Sequence, residues 1–157
     1  VTIEGRRALV VGTGGVGRAI VAALAAEGIG ALRLHDVDAA SAADLAARIR
    51  AHYPRIAIET GGADPAGMDI VVNATPLGMR ADDPLPLDAS RLAPGTFVGE
   101  VVMAATKTPL LAAAAARGCT IQPGTEMLFE QIPLYLEYFG LPPATAAELR
   151  AAAQLDT

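Results

Sequence analysis

The feature that most limits the fold is a run of three pieces in fixed order: RALVV, then GTGGVG, then RAIVAALAAEG, spanning residues 7–28. The first is short, apolar and β-branched, as a buried strand requires. The last is apolar at helical spacing and stops at Gly28. Between them, Gly12-Thr13-Gly14-Gly15-Val16-Gly17 satisfies G-x-G-x-x-G. In such a turn the first glycine allows a tight reversal, the second lets a pyrophosphate approach the backbone, and the third lets the helix pack on the strand. Free N–H groups at the helix start, with Thr13, Gly15 and Val16 completing the loop, would then face the phosphates. The motif alone is weak. Its setting strengthens it, because a second apolar run, Ala31 to His35, ends in Asp36, an acidic residue about 20 positions further on. The alternative is a plain glycine turn beside a surface aspartate.

The rest of the chain repeats the alternation. Asp38 or Ser41 can cap a helix over DAASAADLAARIR, and Ile56–Glu59, Asp69–Val72, Phe97–Val102 and Thr120–Gln122 read as further strands. Thr108 as N-cap, Pro109 at the first helical position and Gly118 beyond the last turn bracket PLLAAAAAR. Glu126–Phe139 is amphipathic, and Thr145 with Glu148 forms a capping box before a last helix. The strand runs lack polar alternation, as strands covered on both faces do. This predicts a Rossmann-like, doubly wound, mostly parallel six-stranded α/β sheet with helices on both faces, over residues 1–157 as one dinucleotide-binding domain. Alanine-rich helices fit close packing on such a sheet.

With 52% hydrophobic and 18% charged residues the composition excludes a disordered chain. A net charge of −5, with basic residues scattered singly or in pairs, argues against nucleic acid as a partner. Lone Cys119 and the lack of a long apolar run point to the cytoplasm and to no membrane partner. The chain opens on Val1 rather than Met, which suggests processing or excision from something longer.

One run changes character part-way. VVNATPLGM, Val71–Met79, begins as a buried strand and turns into Asn73, Thr75, Pro76 and Gly78. Taken with GTGGVG, EVVMAATKTPLL and PGTEMLFEQ, it resembles the nucleotide-binding C-terminal domain of the shikimate/quinate dehydrogenase family, along nearly the whole chain. The resemblance implies that Asn73 and Thr75 shape a polar loop against the cofactor and that Met79 forms a wall. It implies too that Val101, Gly124 and Met127 border the nicotinamide while Gln131 reaches substrate hydroxyls. Plainer roles exist for each: closure of a turn for Asn73, core for Met127, a solvated helix position for Gln131. Two departures stand out: Met103 replaces the family's usual tyrosine, and Glu100 its usual aspartate.

The implied chemistry is hydride transfer between a nicotinamide and a cyclic polyhydroxy carboxylate such as shikimate or quinate. A carboxylate at Asp36 can accept ribose hydroxyls and would repel a 2′-phosphate, so NAD is favoured over NADP. The family's catalytic Lys/Asp pair belongs to an N-terminal substrate domain that these residues do not include. Lys107, the sole lysine, matches no catalytic position, and neither His35 nor His52 is assigned acid–base work. No catalytic residue and no metal site is therefore expected here, and the isolated chain should bind a dinucleotide yet turn over little. The alternative is a stand-alone dinucleotide-binding module with a sensing or scaffolding role.

Overall fold

The computed structural model describes residues 2–80, 82–103 and 107–153. Its strands are β1 (Arg7–Val11), β2 (Ala31–His35), β3 (Ala57–Thr60), β4 (Ile70–Asn73), β5 (Phe97–Glu100) and β6 (Thr120–Gln122). Its α-helices are α1 (Gly15–Ala26), α2 (Ala39–His52), α3 (Pro109–Ala116), α4 (Thr125–Tyr138) and α5 (Ala146–Ala153). A 3-10 turn lies at Ala89–Arg91.

The strands form one sheet in the order β3-β2-β1-β4-β5-β6. Every pairing is parallel, which sharpens the expected "mostly parallel" to wholly so. The order reverses between β1 and β4, the place where such sheets open a crevice beyond the strand ends. Register fixes what meets there. Val11 pairs with His35 on one side and Asn73 on the other, and Asn73 pairs with Glu100. The next residues along, Asp36, Gly12, Ala74 and Val101, therefore stand in a row above the sheet.

Two cores flank it. On one face Ala8, Val10, Leu32, Leu34, Ile70 and Val72 pack against Val21, Leu24, Leu45 and Ile49 of α1 and α2. On the other, Leu9, Val11, Val71 and Val98 meet Leu110, Leu111 and Ala114 of α3, with Leu87 and Leu92 beneath. Burying a Leu- or Val-sized side chain is worth about 1.5–3 kcal/mol, so these apolar faces hold the helices in place.

Helix ends follow local chemistry. Asp38, not Ser41, caps α2, its carboxylate accepting from Ala40 N at 3.1 Å. Thr108 caps α3 with Pro109 in its first turn. After α1 and α3 the same closing pattern recurs: Ile29 N donates to Leu24 O and Gly28 N to Ala25 O, as do Cys119 N to Ala114 O and Gly118 N to Ala115 O. The Thr145/Glu148 capping box forms, with Glu148 N donating to Thr145 Oγ1 at 3.2 Å and Thr145 N to Glu148 at 2.7 Å.

The strand limits depart from the sequence reading. β3 and β4 lie one residue later than expected, at Ala57–Thr60 and Ile70–Asn73, and Asp69 just ahead of β4 accepts from Arg7 N at 2.9 Å with its carboxylate. β5 stops at Glu100 rather than Val102, since Gly124 abuts the backbone of Val101 and Val102. Two-sided cover also fails at one edge. β3 is largely exposed, and no helix joins it to β4, so Arg33 and Glu59 (2.6 Å apart) occupy that face instead.

Candidate functional site

The crevice begins with the glycine turn. Gly12 has φ +98°, and a Cβ there would fall 2.8 Å from the carbonyl carbon of Ala74. A Cβ on Gly17 would overlap the Gly12 carbonyl oxygen. Both are closed in by protein. Gly14 and Gly15 differ: nothing lies within 4 Å of where a Cβ would stand. The turn is thus locked at its ends and open at its tip, where Gly14, Gly15 and Val16 are exposed.

That tip opens α1, and α1 starts without a side-chain cap or an acidic residue in its first turn. Helices α2 and α3 each have a capping side chain. The first N–H groups of α1 therefore retain donor capacity and the positive end of a helix dipole, a cradle suited to a phosphate.

Asp36 stands beside this turn at the end of β2. Its Oδ2 accepts from Thr13 N at 2.6 Å and from Thr13 Oγ1 at 2.8 Å, and its Oδ1 accepts from Asp38 N at 2.9 Å. Partial burial opposes ionisation here, yet these three hydrogen bonds, with His35 nearby, hold the carboxyl below its ordinary value of 3.8. A carboxylate has about four acceptor sites, so roughly one remains for a further strong donor. The sequence reading gave Asp36 both ribose hydroxyls; the structure already commits most of it to the loop. Around it lies a network in which only Arg18 goes unnamed in the sequence reading. Thr13 is fully buried, with Oγ1 3.0 Å from Ser41 Oγ, and Arg18 donates to Thr13 O at 3.0 Å and to Ser41 Oγ at 3.2 Å. Arg18 follows the motif's last glycine directly, which is the signal that could have drawn attention to it.

At the far end of the row, Asn73 is fully buried, so its side chain turns inward. Its Oδ1 accepts from Thr75 N at 3.1 Å and Thr75 Oγ1 at 2.6 Å, while Nδ2 donates to Leu77 O at 3.0 Å. Asn73 and Thr75 thus shape the 73–79 loop, and Met79 at its end is 67% exposed. Gly124 lies against Val101 and Val102, bringing two of the expected nicotinamide-bordering positions together. Met127 and Gln131 follow one turn apart on α4, both half-buried. Met103 and Lys107 are exposed. His35 Nδ1 is engaged by Gly61 O at 2.7 Å, and His52 is exposed in the last turn of α2.

Glu100 was noticed in sequence only as a departure. It is buried, its Oε2 accepts from Thr108 Oγ1 at 2.9 Å, and burial pushes its carboxyl above the ordinary 4.5 despite the Thr108 hydroxyl and the neighbouring Asn73 amide. A depression of about 360 Å³ lies elsewhere, lined by Ala31, Ala57, Arg7, Arg33 and Glu59 on the face that lacks a helix. It lies toward the N-terminal ends of β1, β2 and β3, opposite the crevice, and reflects missing cover. Among the described residues no helix is long and apolar enough to cross a membrane.

An all-parallel sheet in this order, with a glycine turn at its reversal and an uncapped helix start beside it, defines a Rossmann-type nucleotide-binding fold. Over 150 residues the chain is 37% identical to the shikimate dehydrogenase (NADP(+)) of Nitrobacter winogradskyi, covering 95% of this chain and 54% of that protein. It is similar in structure to a quinate dehydrogenase from Corynebacterium glutamicum in complex with NAD, with a TM-score of 0.82 and 35% identity over 94% of this chain and 54% of that one. A ligand-free 5-ketofructose reductase from a Gluconobacter strain superimposes with a TM-score of 0.85 at 28% identity, covering 95% of this chain and 56% of that one. No family model matches the chain. The chain is a relative of the shikimate and quinate dehydrogenases, and the resemblance drawn from its motifs holds along almost all of it. It spans about half the length of the curated relatives it matches.

Proposed function

We propose that this chain is the dinucleotide-binding part of a shikimate/quinate-type dehydrogenase. The observation that carries the reading is the open tip of the glycine turn at the uncapped start of α1, set directly at the β1/β4 reversal. A nicotinamide dinucleotide, when bound, supplies the hydride-carrying ring for oxidation of an alcohol carbon on a cyclic polyhydroxy carboxylate. The chain's own residues bind and orient. The N–H groups of Gly14, Gly15, Val16 and Gly17 hold the pyrophosphate, with Gly12 and Thr13 fixing the turn. Asp36 uses its remaining acceptor capacity on the adenosine ribose and repels a 2′-phosphate, so NAD is preferred to NADP. This preference sets the chain apart from relatives whose names carry NADP(+). Thr75 and Met79, positioned by Asn73, cover one side of the nicotinamide; Val101, Gly124 and Met127 border the other; Gln131 reaches the substrate. The proton-transfer group and a carboxylate-binding surface come from outside these residues, and lone Cys119 suits a reducing, cytoplasmic setting.

A second substrate class, a polyhydroxylated ketone without a carboxylate, gains support from the similarity to the 5-ketofructose reductase. Calorimetric titration tests the first step: the chain should bind NAD more tightly than NADP, and equal affinities would sink the Asp36 assignment. Absorbance of reduced cofactor tests the second. Shikimate or quinate should give no appreciable rate with the chain alone, and activity should appear when a domain bearing a Lys/Asp pair is supplied, since acid–base help contributes about 10²- to 10⁴-fold. An ordinary enzymatic rate from these residues alone would overturn the division of labour.

A further inference from the structure

We propose that Glu100 is a positioning residue: its carboxyl group ties the 73–79 loop to the start of α3, and so sets the shape of the nicotinamide end of the crevice. The proposal rests on the dinucleotide reading above for its ligand, but its geometry stands apart from it.

Glu100 is the last residue of β5 and is only 6% exposed. It forms no ion pair among the described residues, and its polar neighbours are Thr108 and Asn73. Burying a carboxyl group without a cation is costly, and an apolar residue of similar size would fill the space more cheaply. Its neighbours suggest what the oxygens are for. Thr108 is 3% exposed and has a single hydroxyl proton, which it donates to Glu100, while its oxygen accepts from Leu111 N at 3.3 Å and caps α3. Asn73 lies opposite Glu100 in the ladder, which sets the two side chains next to each other on one face of the sheet. With Oδ1 taken by Thr75 and Nδ2 donating to Leu77 O, the amide has one workable orientation, and its second Nδ2 proton remains available to the adjacent Glu100 carboxyl. That orientation dictates the turn through Thr75 and Leu77.

The two tied segments also touch. A Cβ on Gly78 would stand 3.7 Å from Thr108 Cβ and 3.8 Å from Val102 Cγ2. Val102 and Val101 in turn support Gly124 at the start of α4. One buried carboxyl therefore sits beneath three segments that meet at the nicotinamide end, and it touches none of the groups at the adenosine end.

The test compares NADH with ADP-ribose, which lacks only the nicotinamide. In Glu100→Ala, calorimetry should show NADH affinity falling about tenfold while ADP-ribose affinity stays within about twofold. Amide hydrogen exchange at Thr75, Leu77 and Leu111 should accelerate without any ligand present. Glu100→Gln, which keeps an acceptor oxygen, should restore both readouts. Should the alanine variant not fold, Glu100→Met keeps the volume, removes both oxygens and is read in the same way. Equal weakening of both ligands, or unchanged NADH affinity, would overturn the proposal. If the wild-type chain binds neither ligand, the dinucleotide reading fails, and the tie is judged by exchange alone: unchanged exchange at those amides in the variant overturns it.

Discussion

Two carboxyl groups stand at opposite ends of the row above the sheet, and their surroundings push them in opposite directions. Asp36, after β2, is partly exposed, and although burial works against it, donors from Asp38 and Thr13 keep it ionised below its ordinary range. Glu100, ending β5, is buried, and that burial outweighs its two side-chain donors and raises it. The difference lies in the donors. Backbone N–H groups reach Asp36 because it sits in a turn, whereas Glu100 sits in a strand whose N–H groups serve the sheet. Under the proposed dinucleotide reading, the Asp36 end would discriminate by charge and the Glu100 end by shape.

The sharpest way to break the comparison is to remove the proposed phosphate site that lies between the two ends. Gly14→Val should lower dinucleotide affinity by more than about 100-fold, or ~2.8 kcal/mol, while the fold survives, because the backbone at φ −67° suits any residue and nothing lies within 4 Å of a Cβ. Gly17→Ala should instead lose stability in thermal denaturation, since its methyl meets the Gly12 carbonyl. Next in size, Asp36→Ala should cost about tenfold in NAD affinity and erase most of the preference over NADP, measured by titration with each. It should also destabilise the chain by about 1–3 kcal/mol, because buried Thr13 loses its acceptor.

Unfolding by denaturant across pH separates the two carboxyls further. A lowered Asp36 contributes stability that is present above the unfolded value of 3.8 and is lost as pH falls through the folded one. A raised Glu100 acts in the reverse sense: folded stability is fullest below 4.5 and declines as pH rises through the raised folded value. Glu100→Gln should remove that decline and leave the acid limb in place. A profile unchanged by Glu100→Gln would show that the carboxyl titrates alike in both states. The smallest effect belongs to Lys107→Ala, an exposed cation just ahead of the Thr108 cap, which should leave cofactor affinity within about twofold; a larger loss by titration would draw Lys107 into the site.

What could be read in sequence was whatever neighbouring residues decide. The glycine turn, the Thr108-Pro109 start and Gly118 end of α3, and the Thr145/Glu148 box all depend on contacts within a few positions. The burial of Asn73 does not, because it follows from a ladder joining β4 to β1 and β5. Nor could spacing show that Asp36 is held by Thr13, which lies a whole helix and strand earlier. Glu100 was the hardest to see. A polar residue closing a strand ordinarily faces water, and only register against Asn73 and the return of Thr108 from the next helix put it inside.

The pairing of β1 has a consequence in time. One side of β1 meets β2 across a single helix, but its other side must wait for β4, which the chain reaches only after β2, α2 and β3. Closing that longer loop costs more entropy and is slower to be rewarded by contacts. The reversal that opens the crevice is therefore expected to be among the last junctions made during folding. A nascent chain ending before β4 would carry the glycine turn, the uncapped helix and Asp36, with Gly12 still lacking the Ala74 carbonyl against which it closes.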